Sequence, residues 1–178
     1  MSQLPSISDA FKVVVAATEA AIIANPALNW GTLPKKVYFQ HGTIKEVTDV
    51  LQSFTNASVP KYPLVFLVRN INERVHNTKY GLAPEFTCRV VICSLTNPFF
   101  RSDDRETKNF KPILLPIFEE LIRQISESNL FGMPAIEDMK IRKNDSYFYG
   151  EYEGKNKFND YVDAVDVTNL SLKINNFC

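Results

Sequence analysis

Glycine and histidine are scarce in this chain, and their scarcity argues against several kinds of catalytic site. The 178 residues include six glycines, and neither G-x-x-x-x-G-K-[ST] nor G-x-G-x-x-G occurs, so a phosphate-cradling loop of these types is not expected. The two histidines, His41 and His76, are not accompanied by a G-x-S-x-G nucleophile elbow. We therefore predict no catalytic histidine and a protein that is not an enzyme.

The three cysteines form neither a metal motif nor an obvious disulfide. Cys88 and Cys93 fall in one predicted strand at an odd separation, so their side chains are expected on opposite faces. No Cys/His spacing in the chain is typical of a zinc site. We predict two small buried hydrophobic residues and a free thiol at Cys178, no cofactor, and a reducing compartment.

The chain also lacks an excess of charge and a long hydrophobic run. Basic and acidic residues number 20 each, and the formal net charge is zero. General binders of nucleic acid or of membrane surfaces normally carry a basic excess, so neither function is expected. No signal peptide is recognised, and no segment approaches the roughly 20 apolar residues of a membrane span. The length predicts a single domain spanning residues 1–178.

The most regular segment is Thr107–Ser128, which organises the predicted fold. Its apolar residues recur at spacings of three and four, as on one face of a helix. They are Phe110, Leu114, Ile117, Leu121 and Ile125. Pro112 suits a first helical turn, whereas Pro116 removes a backbone hydrogen bond. A long central helix at about Asn109–Ser128 is therefore predicted, starting near Asn109–Pro112 or continuing a longer helix that is kinked there.

Two further helices and several strands complete the predicted fold. The first helix is expected to start at Ser6 or Ser8, and the second to follow the capping-box sequence Thr43–Glu46. The predicted strands are Lys36–Gln40, Leu64–Arg69, Phe86–Leu95, Met139–Lys143, Tyr147–Tyr149 and Ala164–Ile174, with a bulge near Thr168-Asn169. The fold class is α+β: one mixed, largely antiparallel sheet with the long central helix and two further helices packed on it.

Four polar connections are long enough to suggest a functional role. They are Thr55–Pro63, Asn70–Pro84, Asn97–Glu106 and Gly150–Asn159. In Asn97–Glu106, two adjacent phenylalanines precede a dense charge cluster. One interpretation packs Phe99 or Phe100 on the core, while Asp103 and Asp104 favour the helix N-terminus. The other makes this segment a protein–protein contact.

Three aspartates near the last predicted strand, Asp160, Asp163 and Asp166, are spaced by three residues. Carboxylates in such a group can bind a divalent ion or transfer protons, so a metal-dependent hydrolase is an alternative function. Asp166 alternates with Val165 and Val167 and is expected on the outer face of its strand. No EF-hand spacing is present, and we predict no metal site.

Several segments together carry a resemblance to a known family. They are VYFQHGTIKEVTDVLQ, YPLVFLV, NFKPILLPIFEELIRQI, the pair Tyr149-Gly150 and NKFNDYVDAVDVTNLSLKI. With the predicted element order, they resemble the tail-terminator and tail-completion (head–tail connector) proteins of tailed bacteriophages, of the kind seen in phages of Bacteroidetes. The resemblance covers most of the chain, and its motifs are descriptive rather than catalytic.

The resemblance implies a tail-terminator-like fold and a structural function in the virion, assembled in the host cytoplasm. Such a subunit forms a homo-oligomeric ring, commonly a hexamer, at the head-proximal end of the tail tube. The ring stops tube polymerisation and docks to the head connector, while DNA passes through its lumen without sequence-specific binding. Subunit or partner interface residues are then expected at Phe99, Phe100, Arg101, Asp103, Asp104, Arg105, Arg74, Asp160 and Asp163. A small-molecule or peptide-binding α/β module is a further alternative.

Overall fold

The computed structural model describes residues 6–31, 35–53, 61–78, 81–133, 141–149, 151–152, 155–156 and 160–175.

The first two helices begin at side-chain caps that the sequence predicts. Helix α1, Ile7–Ala24, begins at Ser6, whose hydroxyl accepts a hydrogen bond from the Asp9 amide at 3.1 Å. Helix α2, Ile44–Ser53, has the predicted capping box, in which the Glu46 amide donates to Oγ1 of Thr43.

The central helix starts earlier than the main prediction and has an unusual middle. It consists of α3 (Ser102–Arg105), a π-helical segment (Glu106–Leu114) and α4 (Leu115–Glu127), which follow one another without a break. The amide of Leu115 donates to the carbonyl of Phe110, five residues back. Pro112 lies inside the π segment, and Pro116 is the second residue of α4. Neither proline donates a backbone hydrogen bond, and the wider π turn lets the helix continue past Pro112. The longer-helix alternative is therefore the one observed.

Within the described residues, the main sheet has six strands and is mixed, as predicted. The structure contains β1 (Tyr38–Gly42), β2 (Leu64–Thr78), β3 (Gly81–Leu95), β4 (Phe131–Gly132), β5 (Arg142–Ser146), β6 (Glu151–Tyr152), β7 (Lys155–Asn156) and β8 (Val162–Ile174). The main sheet has the order β1-β2-β3-β8, with β4 and β5 both paired to β8, while β6 and β7 pair with each other. β1 is parallel to β2, and the other pairs are antiparallel. The α+β fold class is confirmed.

Both faces of the central strands are buried, as the apolar run Leu64–Arg69 predicts. On one face, β2, β3 and β8 pack against α1, the π segment and α4 around Val65, Val90 and Val165. The opposite face carries a smaller cluster that includes Phe66. Because β strands alternate, each central strand contributes to both clusters.

Cys88 and Cys93 lie on opposite faces of β3 and are buried free thiols. Burial raises the pKa of both thiols to about 12, so both are protonated at neutral pH. The prediction of small buried hydrophobic residues is confirmed for this pair; Cys178 lies outside the described residues. Among the described helices, none is long and apolar enough to cross a membrane.

Several predicted loops and turns are wrong. Asn70–Pro84 was expected as a polar connection, but residues 70–78 and 81–84 belong to β2 and β3. Of the predicted strand Met139–Lys143, Arg142 and Lys143 lie in β5, Ile141 does not, and residues 139–140 lie outside the described residues. The predicted turn Asn144–Ser146 is instead the rest of β5, and residues 147–149 form a turn rather than a strand. Residues 54–60 of the first loop, 134–140, and most of 150–159 lie outside the described residues.

The predicted bulge in β8 is confirmed. Thr168 and Asn169 both lie opposite Arg89, and the register of β3 and β8 shifts there. Asn169 has a φ of +60°, in the left-handed region that Asn tolerates better than most residues. The bulge explains why Val165 and Val167 face the helices together with Leu170 and Leu172, which have the opposite parity.

Replacement of Asn169 tests this backbone conformation. Asn169→Val is expected to destabilise the protein by about 1–3 kcal/mol, because a β-branched side chain is strained at positive φ. Asn169→Gly is the matched control and is expected to change stability by less than about 0.5 kcal/mol, since glycine adopts this conformation freely. Urea unfolding measures both. Equal stability of the two variants would contradict the assigned strain.

Candidate functional site

Most of the predicted interface residues meet at one end of the sheet, where β3 ends and β8 begins. The amide of Thr96 donates to the Tyr161 carbonyl at 2.9 Å, extending the pairing of Leu95 with Val162. The turn after Leu95 then leads into α3, so Phe99 and its neighbours lie beside the start of β8. Arg74 is different, since it lies on β2 near the opposite end of the molecule.

Arg105 holds the turn at this end from within the protein. Its side chain is buried, and its guanidinium donates to the Phe100 carbonyl at 3.2 Å and to the Asn97 carbonyl at 3.3 Å. It also donates to Oγ1 of Thr96 at 3.0 Å. One cation thus holds three points of the turn. The predicted surface role of Arg105 is not seen, because a buried side chain presents no surface to a partner.

Asp163 supplies the counter-charge for Arg105. Its Oδ1 lies 2.6 Å from Nη1 of Arg105, and its Oδ2 accepts from Nδ2 of Asn109 at 3.0 Å. Neither side chain of the ion pair is more than 2% exposed. Burial of one charge requires its partner and further hydrogen bonds, which this cluster provides. Asp163 is therefore an internal residue, not an interface residue in this structure.

The guanidinium of Arg105 is also covered by aromatic rings. Phe148 lies over it with 3.9 Å between the guanidinium carbon and the ring centroid, and Tyr147 lies at 5.6 Å. Phe148 has a φ of +49°, which is unusual for a bulky residue, and its amide donates to Asp163 at 3.3 Å. The ion pair therefore also fixes the turn that follows β5.

Phe99 projects from this fixed framework into solvent. Its side chain is 89% exposed, and the turn beneath it is closed by a hydrogen bond from the Phe100 amide to the Asn97 carbonyl at 3.0 Å. Three more large exposed residues, Leu95, Tyr147 and Tyr161, lie at the same end, and Phe148 contacts Tyr161 with 5.6 Å between ring centroids. We call Leu95, Phe99, Tyr147, Phe148 and Tyr161 the aromatic end.

The remaining residues of the predicted segment divide between the surface and local structure. Arg101 and Asp103 are exposed. Phe100 is half-buried beneath the ammonium of Lys108, which lies 4.6 Å from the ring centroid. Asp104 pairs with Lys108 at 2.6 Å, and this hydrogen bond lowers the pKa of the Asp104 carboxyl. The two alternatives for this segment thus apply to different phenylalanines: Phe100 packs on the protein, and Phe99 is free to contact a partner.

The three spaced aspartates do not form one carboxylate group. Asp160 pairs with Lys61 at 2.6 Å and accepts from the Tyr62 hydroxyl at 3.3 Å, while Asp166 binds Arg89 on the sheet face opposite Asp163. Asp166 is on the predicted face, but that face is covered, and its side chain is 11% exposed. Among the described residues, no three His, Cys, Asp or Glu side chains are placed to hold a metal ion.

Arg74 belongs to an extension of the sheet that sequence analysis did not predict. Beyond Arg69, β2 pairs with no described strand other than β3, from Asn72 opposite Thr87 to Thr78 opposite Gly81. Within the described chain, β1 leaves β2 at Val68 and β8 leaves β3 at Glu85. We call the part of the β2–β3 pairing formed by residues 72–78 and 81–87 the ribbon. Its outer part, residues 75–78 and 81–84, is two-stranded among the described residues, whereas residues 85–87 also pair with β8. Its Glu73, Arg74 and Val75 are exposed.

The sequence did not indicate three residues of the aromatic end, and it did not indicate the internal role of Asp163. The aromatic end contains Tyr147, Phe148 and Tyr161, which are brought to Phe99 by tertiary pairing and carry no local signal. Asp163 did have a signal, since it shares its parity in β8 with the core residues Val165 and Val167. A charged residue at a strand position that faces the core indicates that a group of opposite charge is buried beside it.

Comparisons with known proteins add no identification. A scan against protein-family models gives no match, and a search of curated proteins gives none either.

Proposed function

We propose that this protein is a structural virion subunit, a tail terminator or tail-completion protein. In this proposal, several copies form a ring at the head-proximal end of a phage tail. The ring stops growth of the tail tube and presents a docking surface to the head connector, and DNA passes through its lumen. The ring is a homo-oligomer of roughly six subunits with closed cyclic symmetry.

The observation that carries this proposal is the ribbon. Among the described residues, its outer part consists of two strands that pair only with each other. Such strands are marginally stable in water, and their open edges invite pairing with another chain. The ribbon extends β2 and β3 beyond the region where they pack against α1 and α4 on one face of the sheet. Such an extension is favourable when an assembly covers it.

The aromatic end is the second feature that supports assembly. Exposed aromatic residues beside arginine are typical of the anchors of protein interfaces. Phe99 has this character, with Arg101 two residues further along the chain. The buried Arg105–Asp163 pair fixes the turn beneath Phe99, so little conformational freedom has to be lost when a partner binds.

A small-molecule-binding function has weaker support. The described residues form a cavity of about 290 Å³ between α1 and α4, beside Ile22, Pro116 and Arg123. Ligand pockets are typically about 300–1,000 Å³ and enclosed. This cavity lies at the lower limit of that volume range and is partly open to solvent, so it gives little support to a ligand site between α1 and α4.

Under this proposal, tail tubes of the phage that encodes this chain provide the test. Purified protein added to growing tubes is expected to bind one end of each tube and to stop elongation, which negative-stain images and tube-length distributions measure. Bovine serum albumin at the same concentration controls for nonspecific binding. Tubes that bind no protein and reach the same lengths with and without it would contradict the proposal.

A further inference from the structure

The ribbon and the aromatic end lie at opposite ends of the same strand. β3 begins in the ribbon at Gly81 and ends at Leu95 in the aromatic end. A strand of this length spans about 45 Å at roughly 3.3 Å per residue. One subunit therefore cannot bring its own two surfaces together, whereas a second copy can contact either of them.

The two surfaces match in chemistry. Glu73 pairs with Phe86 and Val75 with Pro84 in the ladder, so Glu73 and Val75 share one face of β2. Val75 is 58% exposed and Glu73 is exposed. At the other end, the apolar Phe99 is followed two residues later by the exposed cation Arg101. On each surface an apolar side chain thus lies close to a charge, Val75 with Glu73 and Phe99 with Arg101, and these two charges are opposite.

We propose that the ribbon of one copy docks on the aromatic end of the next copy. Val75 contacts Phe99, and Glu73 pairs with Arg101. This inference rests on the proposed function, since it names the subunit contact of the proposed ring. Because the two surfaces differ, the contact is heterologous, and repetition of such a contact gives a closed ring when the rotation between subunits closes.

The chain's overall charge is compatible with this contact. Equal numbers of acidic and basic residues leave no net charge to separate identical copies. The complementary pair sets the register of docking, while the aromatic side chain provides most of the affinity.

A mixing experiment tests the contact directly. Val75→Asp disrupts the ribbon surface and leaves the aromatic end intact. Phe99→Asp disrupts the aromatic end and leaves the ribbon surface intact. Each variant alone is expected to self-associate at least about 100-fold more weakly than the wild type, because the contact would bury an unpaired carboxylate. An equimolar mixture is expected to form a one-to-one heterodimer, since one intact copy of each surface remains.

Sedimentation velocity on the two variants, their mixture and the wild type gives the result. Far-UV circular dichroism shows whether both variants remain folded, which is expected because both side chains are exposed. A wild type that stays monomeric, a variant that assembles like the wild type, or a mixture without heterodimer would overturn the proposed contact. Symmetric contact between two aromatic ends would leave Val75→Asp assembled and is thus distinguished.

A charge exchange checks the register. Glu73→Arg and Arg101→Glu are each expected to weaken self-association by about tenfold, since like charges then meet. The double variant is expected to regain most of the wild-type affinity. A double variant that self-associates more weakly than both single variants would contradict the pairing.

The results also separate the contact from the proposed function. If the charge exchange restores self-association but the protein does not bind tube ends, the contact stands and the tail-terminator function fails. If the protein binds tube ends but the charge exchange does not restore self-association, the contact alone is rejected.

Discussion

Asp163→Ala is expected to lower the free energy of unfolding by about 3–5 kcal/mol, because removal of one partner leaves a buried charge uncompensated. The substitution leaves the buried guanidinium of Arg105 without its counter-charge and removes one of the two acceptors that the Asn109 side-chain amide contacts, the other being the Leu95 carbonyl. Urea unfolding monitored by circular dichroism measures the loss, because urea does not screen charges as guanidinium chloride does.

A double-variant cycle separates this coupling from general damage to the core. Arg105→Met alone leaves a buried carboxylate and is also expected to be strongly destabilising. Arg105→Met combined with Asp163→Leu removes both charges, and its loss is expected to be well below the sum of the single losses. Strictly additive losses would show that the pair is not coupled.

Phe110→Ala is expected to destabilise the protein by about 3–5 kcal/mol, as for other large-to-small substitutions at fully buried aromatic residues. Phe110 is 0% exposed, and its ring meets Tyr147 at 5.5 Å between centroids. It lies in the π-helical segment, so the cavity would open where the central helix crosses the sheet.

Phe99→Ala is the matched control for Phe110→Ala. It removes the same side chain from a position that is 89% exposed, and surface substitutions usually change stability by less than about 0.5 kcal/mol. Thermal or urea unfolding of the monomeric proteins at low concentration gives both values. A loss for Phe99→Ala similar to that for Phe110→Ala would contradict the assigned exposure of Phe99.

The elements that could be predicted from the sequence are those that bury one regular face. The apolar spacing of Phe110, Leu114, Ile117, Leu121 and Ile125 identified the central helix, and all five are buried. The phase shift in β8 identified its bulge. In both cases the hydrophobic effect acts on a fixed geometric period, so a single sequence carries the information.

The ribbon could not be predicted in the same way. Its strands are held by backbone hydrogen bonds, which side chains do not encode, and its exposed residues Glu73, Arg74 and Val75 show no buried face. The polar composition of Asn70–Pro84 therefore suggested a loop. The π-helical segment was missed for a related reason, because prolines show where α-helical bonding fails but not how the chain compensates.

The candidate site was only partly predictable. The sequence identified Phe99 and Arg101 because an aromatic and charged run is visible locally. It placed Arg105 and Asp163 in an interface, although they pair with each other in the interior across 58 positions of sequence. A charged residue at a core-facing strand position shows that a group of opposite charge must lie beside it. Which residue supplies that charge, when it is so distant in sequence, depends on the tertiary fold.

The mass and shape of the purified protein in solution test the central claim of assembly most directly. Size exclusion with light scattering, followed by negative-stain imaging, is expected to show closed rings of roughly six subunits with an open centre. A chain that remains monomeric at its highest attainable concentration and leaves tail-tube ends unbound would contradict the proposed function.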